Sequence, residues 1–78
     1  MKGVMLYPIE SSAMTHLGYD EAGQVLYILF DGGRLYAYKA IPKTVFEALK
    51  EATSKGQFFQ QQIRGQYSFE RVRAKQKQ

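Results

Sequence analysis

Apolar and polar positions in the first half of the chain follow the two-residue period of β-strands. Residues 4–9 form a short apolar segment containing Pro8, which cannot donate to a sheet, so we expect an edge strand or an extended lead-in there. Residues 12–19 alternate only weakly, whereas residues 24–30 and 35–39 are rich in β-branched and aromatic side chains. The pattern predicts an antiparallel meander of three or four strands.

The segment Asp-Gly-Gly at residues 31–33 predicts a hairpin, because glycine adopts the positive φ angles that tight turns require. Two registers follow from it. A three-residue loop places Tyr36 and Tyr38 on the sheet face that also carries Leu26, Ile28 and Phe30. A two-residue turn places both tyrosines on the other face, with Val25, Tyr27 and Leu29. We favour the first register, in which the tyrosines face the core.

Two helices are predicted after the meander. Pro42 fits the first position of a helix, where its missing donor costs nothing. The apolar positions that follow fall on one helical face, namely Val45, Phe46, Leu49 and Ala52. Residues 54–57, Ser-Lys-Gly-Gln, match the capping-box pattern and open a second helix that presents Phe58, Phe59 and Ile63. Gly65 suits its left-handed end, and residues 67–72 alternate like a return onto the sheet.

The predicted fold class is therefore α+β, a small antiparallel β-meander of three to four strands followed by two helices packed on one face. With 78 residues the chain has room for a single domain, which we place at residues 1–72. A domain of this size has a thin core, and dimerisation is one way to cover more apolar surface. Residues 73–78 carry no large apolar side chain and are predicted to be a frayed basic tail.

Charge is unevenly distributed along the chain. Residues 1–53 hold five basic and six acidic side chains, whereas residues 54–78 hold six basic side chains and one acidic one. The net charge of +4 thus comes from the last third, which points to an anionic partner such as nucleic acid. Apolar runs are too short to span a bilayer, and the first ten residues are too polar for a signal peptide. We expect a cytoplasmic protein that does not enter the membrane.

Candidate catalytic chemistry is sparse. His16 is the one imidazole and Cys is absent, so the sequence offers no credible zinc or transition-metal set. Ser11, Ser12 and Asp20 lie near His16 in sequence, but a strand spreads them along its length and over both faces. His16 is better interpreted as a solvated or structurally bonded side chain. We expect no enzymatic activity and no cofactor.

A basic and aromatic constellation remains. We predict a nucleic-acid-binding site formed by Arg64, Arg71, Arg73, Lys55, Tyr36, Tyr38 and Tyr67. Cationic side chains neutralise phosphates, and aromatic rings stack on unpaired bases. The alternative is that the tyrosines are core residues and that the basic tail serves solubility. The first interpretation needs tyrosine rings on an uncovered sheet face.

The order of these features resembles the KTSC domain, a small module named for its occurrence at the C-terminus of some lysyl-tRNA synthetases. The resemblance covers residues 11–72 and includes the Tyr-x-Tyr strand of Tyr36 and Tyr38. The matching positions are Ser11, Ser12, Gly18, Tyr19, Asp20, Phe30, Tyr36, Tyr38, Pro42, Ser54, Gly56, Phe58, Phe59, Ile63, Arg64 and Tyr67. Gln60 stands where such domains often have Asn.

What the resemblance implies is an accessory module appended to a tRNA-charging enzyme, which makes RNA the natural ligand. No synthetase body accompanies these residues, so tRNA charging itself is not implied. We therefore expect a non-catalytic RNA-binding module. The alternative is a protein–protein interaction domain, or a homodimer, that uses an exposed aromatic patch or a sheet edge.

Overall fold

One antiparallel sheet organises the fold. The computed structural model describes residues 4–72. Its strands lie side by side in chain order: β1 (Tyr7–Pro8), β2 (Met14–Asp20), β3 (Val25–Phe30), β4 (Arg34–Tyr38) and β5 (Phe69–Val72). The α+β class is confirmed, but the sheet has five strands where three or four were predicted. The strand beyond that count is β5, which follows the helices, pairs with β4 and is the return onto the sheet that the alternation of residues 67–72 indicated.

Two helical segments connect β4 to β5. Helix α1 spans Lys43–Glu51, and Pro42 lies at its N-cap with ψ of 150°, one position earlier than predicted. Helix α2 spans Lys55–Phe58 and continues as a π-helical turn over Phe59–Ile63. We call these two together the second helix. Within residues 4–72, no helix is long and apolar enough to cross a bilayer.

Local capping rules set the ends of the second helix. The Ser54 hydroxyl accepts a hydrogen bond from the Gln57 amide at 3.3 Å, the N-cap contact that the sequence predicted. At the other end the Arg64 amide donates to the Phe59 carbonyl at 2.9 Å, which closes the wide π-helical turn. Gly65 follows with φ of 80°, the left-handed conformation expected of it.

The hairpin adopts the three-residue register. Phe30 pairs with Arg34, and Ile28 pairs with Tyr36. Gly32 and Gly33 have φ angles of 95° and 87°. Directly paired residues share a face, so the two tyrosines of β4 lie on the same side as the apolar residues of β3. This confirms the favoured register.

A β-bulge explains the weak periodicity of β2. Met14 pairs with Phe30 and Leu17 pairs with Ile28. Three positions along β2 thus lie opposite two positions along β3. The register shift between Met14 and His16 lets Met14 and Leu17 occupy the same face. Both are buried, as the core requires.

The core lies between the sheet and the helices. Phe46 and Leu49 of α1 and Phe59 and Ile63 of the second helix are buried against it. Ile41, in the connection before α1, is fully buried, and its carbonyl accepts a hydrogen bond from the Tyr19 hydroxyl. We call this side of the sheet the helix-covered face. Its buried sheet residues are Met14, Leu17, Leu26, Ile28 and Tyr38.

Part of the opposite face is covered by the N-terminal segment. A Cβ atom on Gly18 would lie 2.7 Å from Cδ2 of Leu6, 2.8 Å from the Met5 carbonyl oxygen and 3.0 Å from Cγ1 of Val4. Only a glycine permits such a close approach of another chain segment to the strand. The lead-in thus packs across β2 before entering the sheet as β1, the edge strand that the sequence predicted.

Candidate nucleic-acid interface

The helices leave one part of the helix-covered face open, beside β4 and β5. An open groove of about 890 Å³ lies there between the second helix and these strands. We call it the aromatic–basic groove. Its aromatic lining is Phe30, Tyr36, Tyr38, Phe59 and Phe69, and its arginines are Arg34 and Arg64. The polar side chains along it are Ser12, Asp31, Ser54, Gln57, Gln60 and Gln61.

The aromatic rings form one continuous cluster. Tyr38 stacks on Phe69 with centroids 5.2 Å apart and meets Phe59 edge-on at 5.4 Å. Tyr36 lies 5.4 Å from Phe69 and 5.5 Å from Phe30. Such offset and edge-to-face pairs are the arrangements that aromatic side chains prefer. The cluster holds these rings in fixed orientations at the groove.

Exposure rises across this cluster from the core to the rim. Tyr38 is only 5% exposed and Phe59 is 7% exposed, so both belong to the core. Tyr36 and Phe30 are half-buried. Phe69 is 54% exposed, which is exceptional for so large an apolar side chain in this small domain. The ring most available to an incoming ligand is therefore Phe69.

Apart from Lys55, the lysines and arginines of residues 4–72 divide into two groups. Lys39, Lys43 and Lys50 each lie within 3.3–3.7 Å of a carboxylate oxygen. Within residues 4–72 no arginine forms an ion pair with a carboxylate. Arg34 and Arg64 line the groove, and Arg71 lies beside it because it pairs with Tyr36 and shares the face of that residue. Unneutralised guanidinium groups thus concentrate beside the aromatic cluster.

Arg64, at the end of the second helix, lines the groove. Its guanidinium donates to the side-chain oxygen of Gln60 at 3.2 Å, which orients it along the second helix. Burial raises the pKa of the Tyr38 phenol above its ordinary value, Tyr36 raises that pKa further, and the charge of Arg64 lowers it. The Arg64 charge is thus the smallest of the three influences on the pKa of Tyr38. The phenol of Tyr38 therefore remains a neutral hydrogen-bonding group at neutral pH.

The predicted site residues are only partly brought together. Arg64, Tyr36 and Tyr38 line the groove, and Arg71 lies beside it. Lys55 and Tyr67 do not join them, for different reasons. Lys55 donates to the Ala52 carbonyl at 3.2 Å beyond α1, and Tyr67 packs against the core. Arg73 lies outside the described residues, as does the predicted tail.

Sequence reasoning missed two residues at the groove, Phe69 and Arg34. The favoured hairpin register contains the information for Arg34, because pairing with Phe30 puts it on the face of Tyr36. Phe69 could have been identified only after the partner of its strand was known. Its pairing with Tyr38 fixes its face, and its place on the last strand of the sheet leaves its ring open.

Apart from Ser12, which lines the groove, the side chains considered for catalysis lie elsewhere. Nδ1 of His16 is 3.0 Å from the Thr15 hydroxyl, and His16 pairs with Leu29 rather than with a groove residue. The Ser11 hydroxyl accepts hydrogen bonds from the amides of Ala13 and Met14, so it stabilises the turn before β2. In residues 4–72 no group of His, Asp and Glu is suited to hold a metal ion.

Most of the groove lies within a recognisable family domain. The family model of the KTSC domain matches residues 10–67, most of the chain. This chain belongs to the KTSC domain family. The match contains Arg34, Tyr36, Tyr38 and Arg64, whereas Phe69 and Arg71 follow its end.

Relatives of this KTSC domain include longer proteins and proteins of similar size. A lysine–tRNA ligase of Nostoc punctiforme is 36% identical over 75 residues, which is 92% of this chain but 13% of the ligase. A protein of Stutzerimonas stutzeri is 42% identical over 59 residues, which is 76% of this chain and 83% of that protein. The crystal structure of a KTSC domain protein from Yersinia pestis superposes with a TM-score of 0.87 at 28% identity, covering 90% of this chain and 99% of that one.

Proposed function

We propose that this KTSC domain is a non-catalytic module that binds single-stranded RNA in the aromatic–basic groove. The observation that carries the proposal is the position of Arg64 and Arg71. Arg64 lines the groove together with the half-exposed ring of Phe69, and Arg71 follows Phe69 by two positions on the same face of β5. Neither arginine is paired with a carboxylate among residues 4–72. Proteins that bind unpaired strands combine these two elements, cations that follow the phosphates and rings that stack on bases.

Electrostatics favours an anionic ligand at this place. An arginine that already pairs with a carboxylate must give up that contact to bind a phosphate, whereas Arg64 and Arg71 have no such contact to lose within residues 4–72. Guanidinium groups form bidentate hydrogen bonds with phosphate oxygens. The predicted site residue Arg73 follows Arg71 by two positions and would extend the same charge.

Stacking supplies the second contribution. A base on an aromatic ring contributes about 1–3 kcal/mol of binding free energy, and a half-exposed Phe69 offers such a ring without unfolding the core. The half-buried Tyr36 lies 5.4 Å from it and offers a second ring. A duplex keeps its bases stacked on each other, so this arrangement selects unpaired strands.

One relative supports the proposal of an RNA ligand. The relative from Nostoc punctiforme is a lysine–tRNA ligase, and a segment of it is homologous to nearly the whole of this chain. An accessory module that holds RNA near a synthetase would increase the local concentration of its substrate. For this chain the RNA need not be tRNA, because the groove contacts would recognise any unpaired strand.

The test is a fluorescence anisotropy titration with labelled single-stranded RNA at two salt concentrations. The parent protein should bind saturably at low salt and more weakly at high salt, because bound phosphates release counterions. Replacing Arg64, Arg71 and Arg73 by Gln should abolish binding. The matched control replaces Lys39, Lys43 and Lys50 by Gln, which removes the same net charge from ion-paired positions away from the groove lining. It should leave most of the affinity intact.

Three outcomes would contradict this proposal. They are the absence of saturable binding at low salt, equal losses in the two triple variants, and retention of binding by the arginine variant. The protein-interaction alternative then becomes the better explanation. It is favoured by the 54% exposure of Phe69 on β5, which is the last strand of the sheet and can present its outer edge to an extended peptide.

A further inference from the structure

We infer that the RNA strand runs along β4 and that Arg34 is a further phosphate contact at its far end, which limits the groove to about four nucleotides. The inference rests on the proposed function and adds a direction, a length and a residue to it. Arg34 begins β4 and Tyr38 ends it. The chain that leaves Arg64 rejoins the sheet at the Tyr38 end, where the Lys39 amide donates to the Ser68 carbonyl at 2.9 Å and Phe69 pairs with Tyr38. The two arginines that line the groove therefore stand toward opposite ends of this strand.

The length of the path follows from strand geometry. Four residue steps separate Arg34 from Tyr38, and a strand rises about 3.4 Å per residue, so the path measures about 14 Å. A stacked nucleic-acid strand advances about 3.4 Å per nucleotide. The same path therefore holds about four stacked nucleotides, and fewer if the strand is stretched.

The aromatic rings lie between the two arginines. Tyr36 occupies the middle of β4, and Phe69 and Arg71 of β5 pair with Tyr38 and Tyr36. Bases can therefore stack between the two ends while phosphates meet a guanidinium at either end.

The two ends differ in charge, and this gives the inference its sharpest consequence. Asp31 lines the groove at the Arg34 end and offsets part of the positive charge there, and within residues 4–72 the groove lining holds no carboxylate at the Arg64 end. A short oligonucleotide should therefore occupy the Arg64 end alone. Arg34 contributes only when the strand is long enough to reach it.

The experiment measures oligouridylates of two to eight nucleotides in a protein whose tail cations Arg73, Lys75 and Lys77 are replaced by Gln. Arg64→Gln should weaken binding at every length. Arg34→Gln should leave the dinucleotide unaffected and weaken the tetranucleotide. With three arginine contacts, the slope of log K against log salt should level off near about −2 at four nucleotides, and Arg34→Gln should bring it to about −1.4. Lys43→Gln removes an equal charge from an ion-paired position and should change neither slope.

The possible results separate this inference from the function on which it rests. If no oligonucleotide binds, the proposed function itself fails. If binding is saturable but the salt slope keeps growing to eight nucleotides, the length limit is wrong. If Arg34→Gln leaves the tetranucleotide slope unchanged while Arg64→Gln lowers it, the strand does not follow β4. A dependence on Arg34 that begins between two and four nucleotides supports the inference.

Discussion

Phe46 of α1 is the residue whose truncation should test the packing of the helices most directly. It is 7% exposed, and its ring stacks on Tyr19 with centroids 4.6 Å apart and an interplanar angle of 11°. The ammonium group of Lys50 lies 5.0 Å from the ring centroid, over the same side chain. Phe46→Ala removes the ring from the core, the stacked pair and the cation–π contact together.

The magnitude follows from these contacts. A buried Phe to Ala truncation costs about 3–5 kcal/mol in free energy of unfolding, and the stacked pair puts Phe46 in the upper part of that range. A domain of 78 residues is stable by about 4–12 kcal/mol. The variant should therefore lose at least about a third of its stability, and all of it at the lower end of this range.

The assay is urea denaturation followed by circular dichroism, with Phe69→Ala as the matched control. The control makes the same chemical change at a ring that is 54% exposed, so it should cost only about 1–2 kcal/mol. A Phe46→Ala variant that unfolds cooperatively with a loss equal to that of Phe69→Ala would refute the position of α1 on the sheet.

Two further substitutions test the turn and the N-terminal segment by thermal unfolding. Gly33 has φ of 87° and no atom near its hypothetical Cβ, so Gly33→Val should destabilise through the backbone alone and clearly more than Gly33→Asn. Equal stability of these two variants would contradict the three-residue register. Gly18→Ala should cost about 1–3 kcal/mol, because the new methyl group meets Leu6 and the Met5 carbonyl. Gly56→Ala is its control, since that Cβ meets only an atom 3.9 Å away, and a Gly18→Ala variant as stable as this control would show that the segment does not pack there.

Much of the fold could be predicted because short sequences determine it locally. The two glycines after Asp31 predict the hairpin, and Ser54 and Gly65 set the ends of the second helix through hydrogen bonding and a positive φ. Phe46 and Leu49 were predicted to face the core because helical spacing alone places them there. Each of these features depends on neighbours within a few positions.

The remaining features depend on contacts between distant residues. The bulge between Met14 and His16 depends on how β2 aligns with β3, and no turn residue marks it. The π-helical turn ending at Ile63 leaves a wider backbone ring than an α-helix, which the sequence pattern does not distinguish. The strand partner of Phe69 likewise depends on where the chain returns after both helices. Sequence patterns therefore predicted the helices and strands better than they predicted which surfaces of the fold remain exposed.

The difference between buried and exposed groove residues decides which substitutions can test the function. Tyr38 belongs to the predicted site and lines the groove, yet it is buried in the core against Phe59. A Tyr38→Ala variant would lose core packing as well as a groove residue, so weaker RNA binding would not reveal which loss caused it. Phe69, by contrast, is half-exposed, and Arg64 is exposed on the other side of the groove. Because a change there leaves the core intact, a loss of RNA affinity in Phe69→Ala with a native circular dichroism spectrum can be assigned to stacking itself.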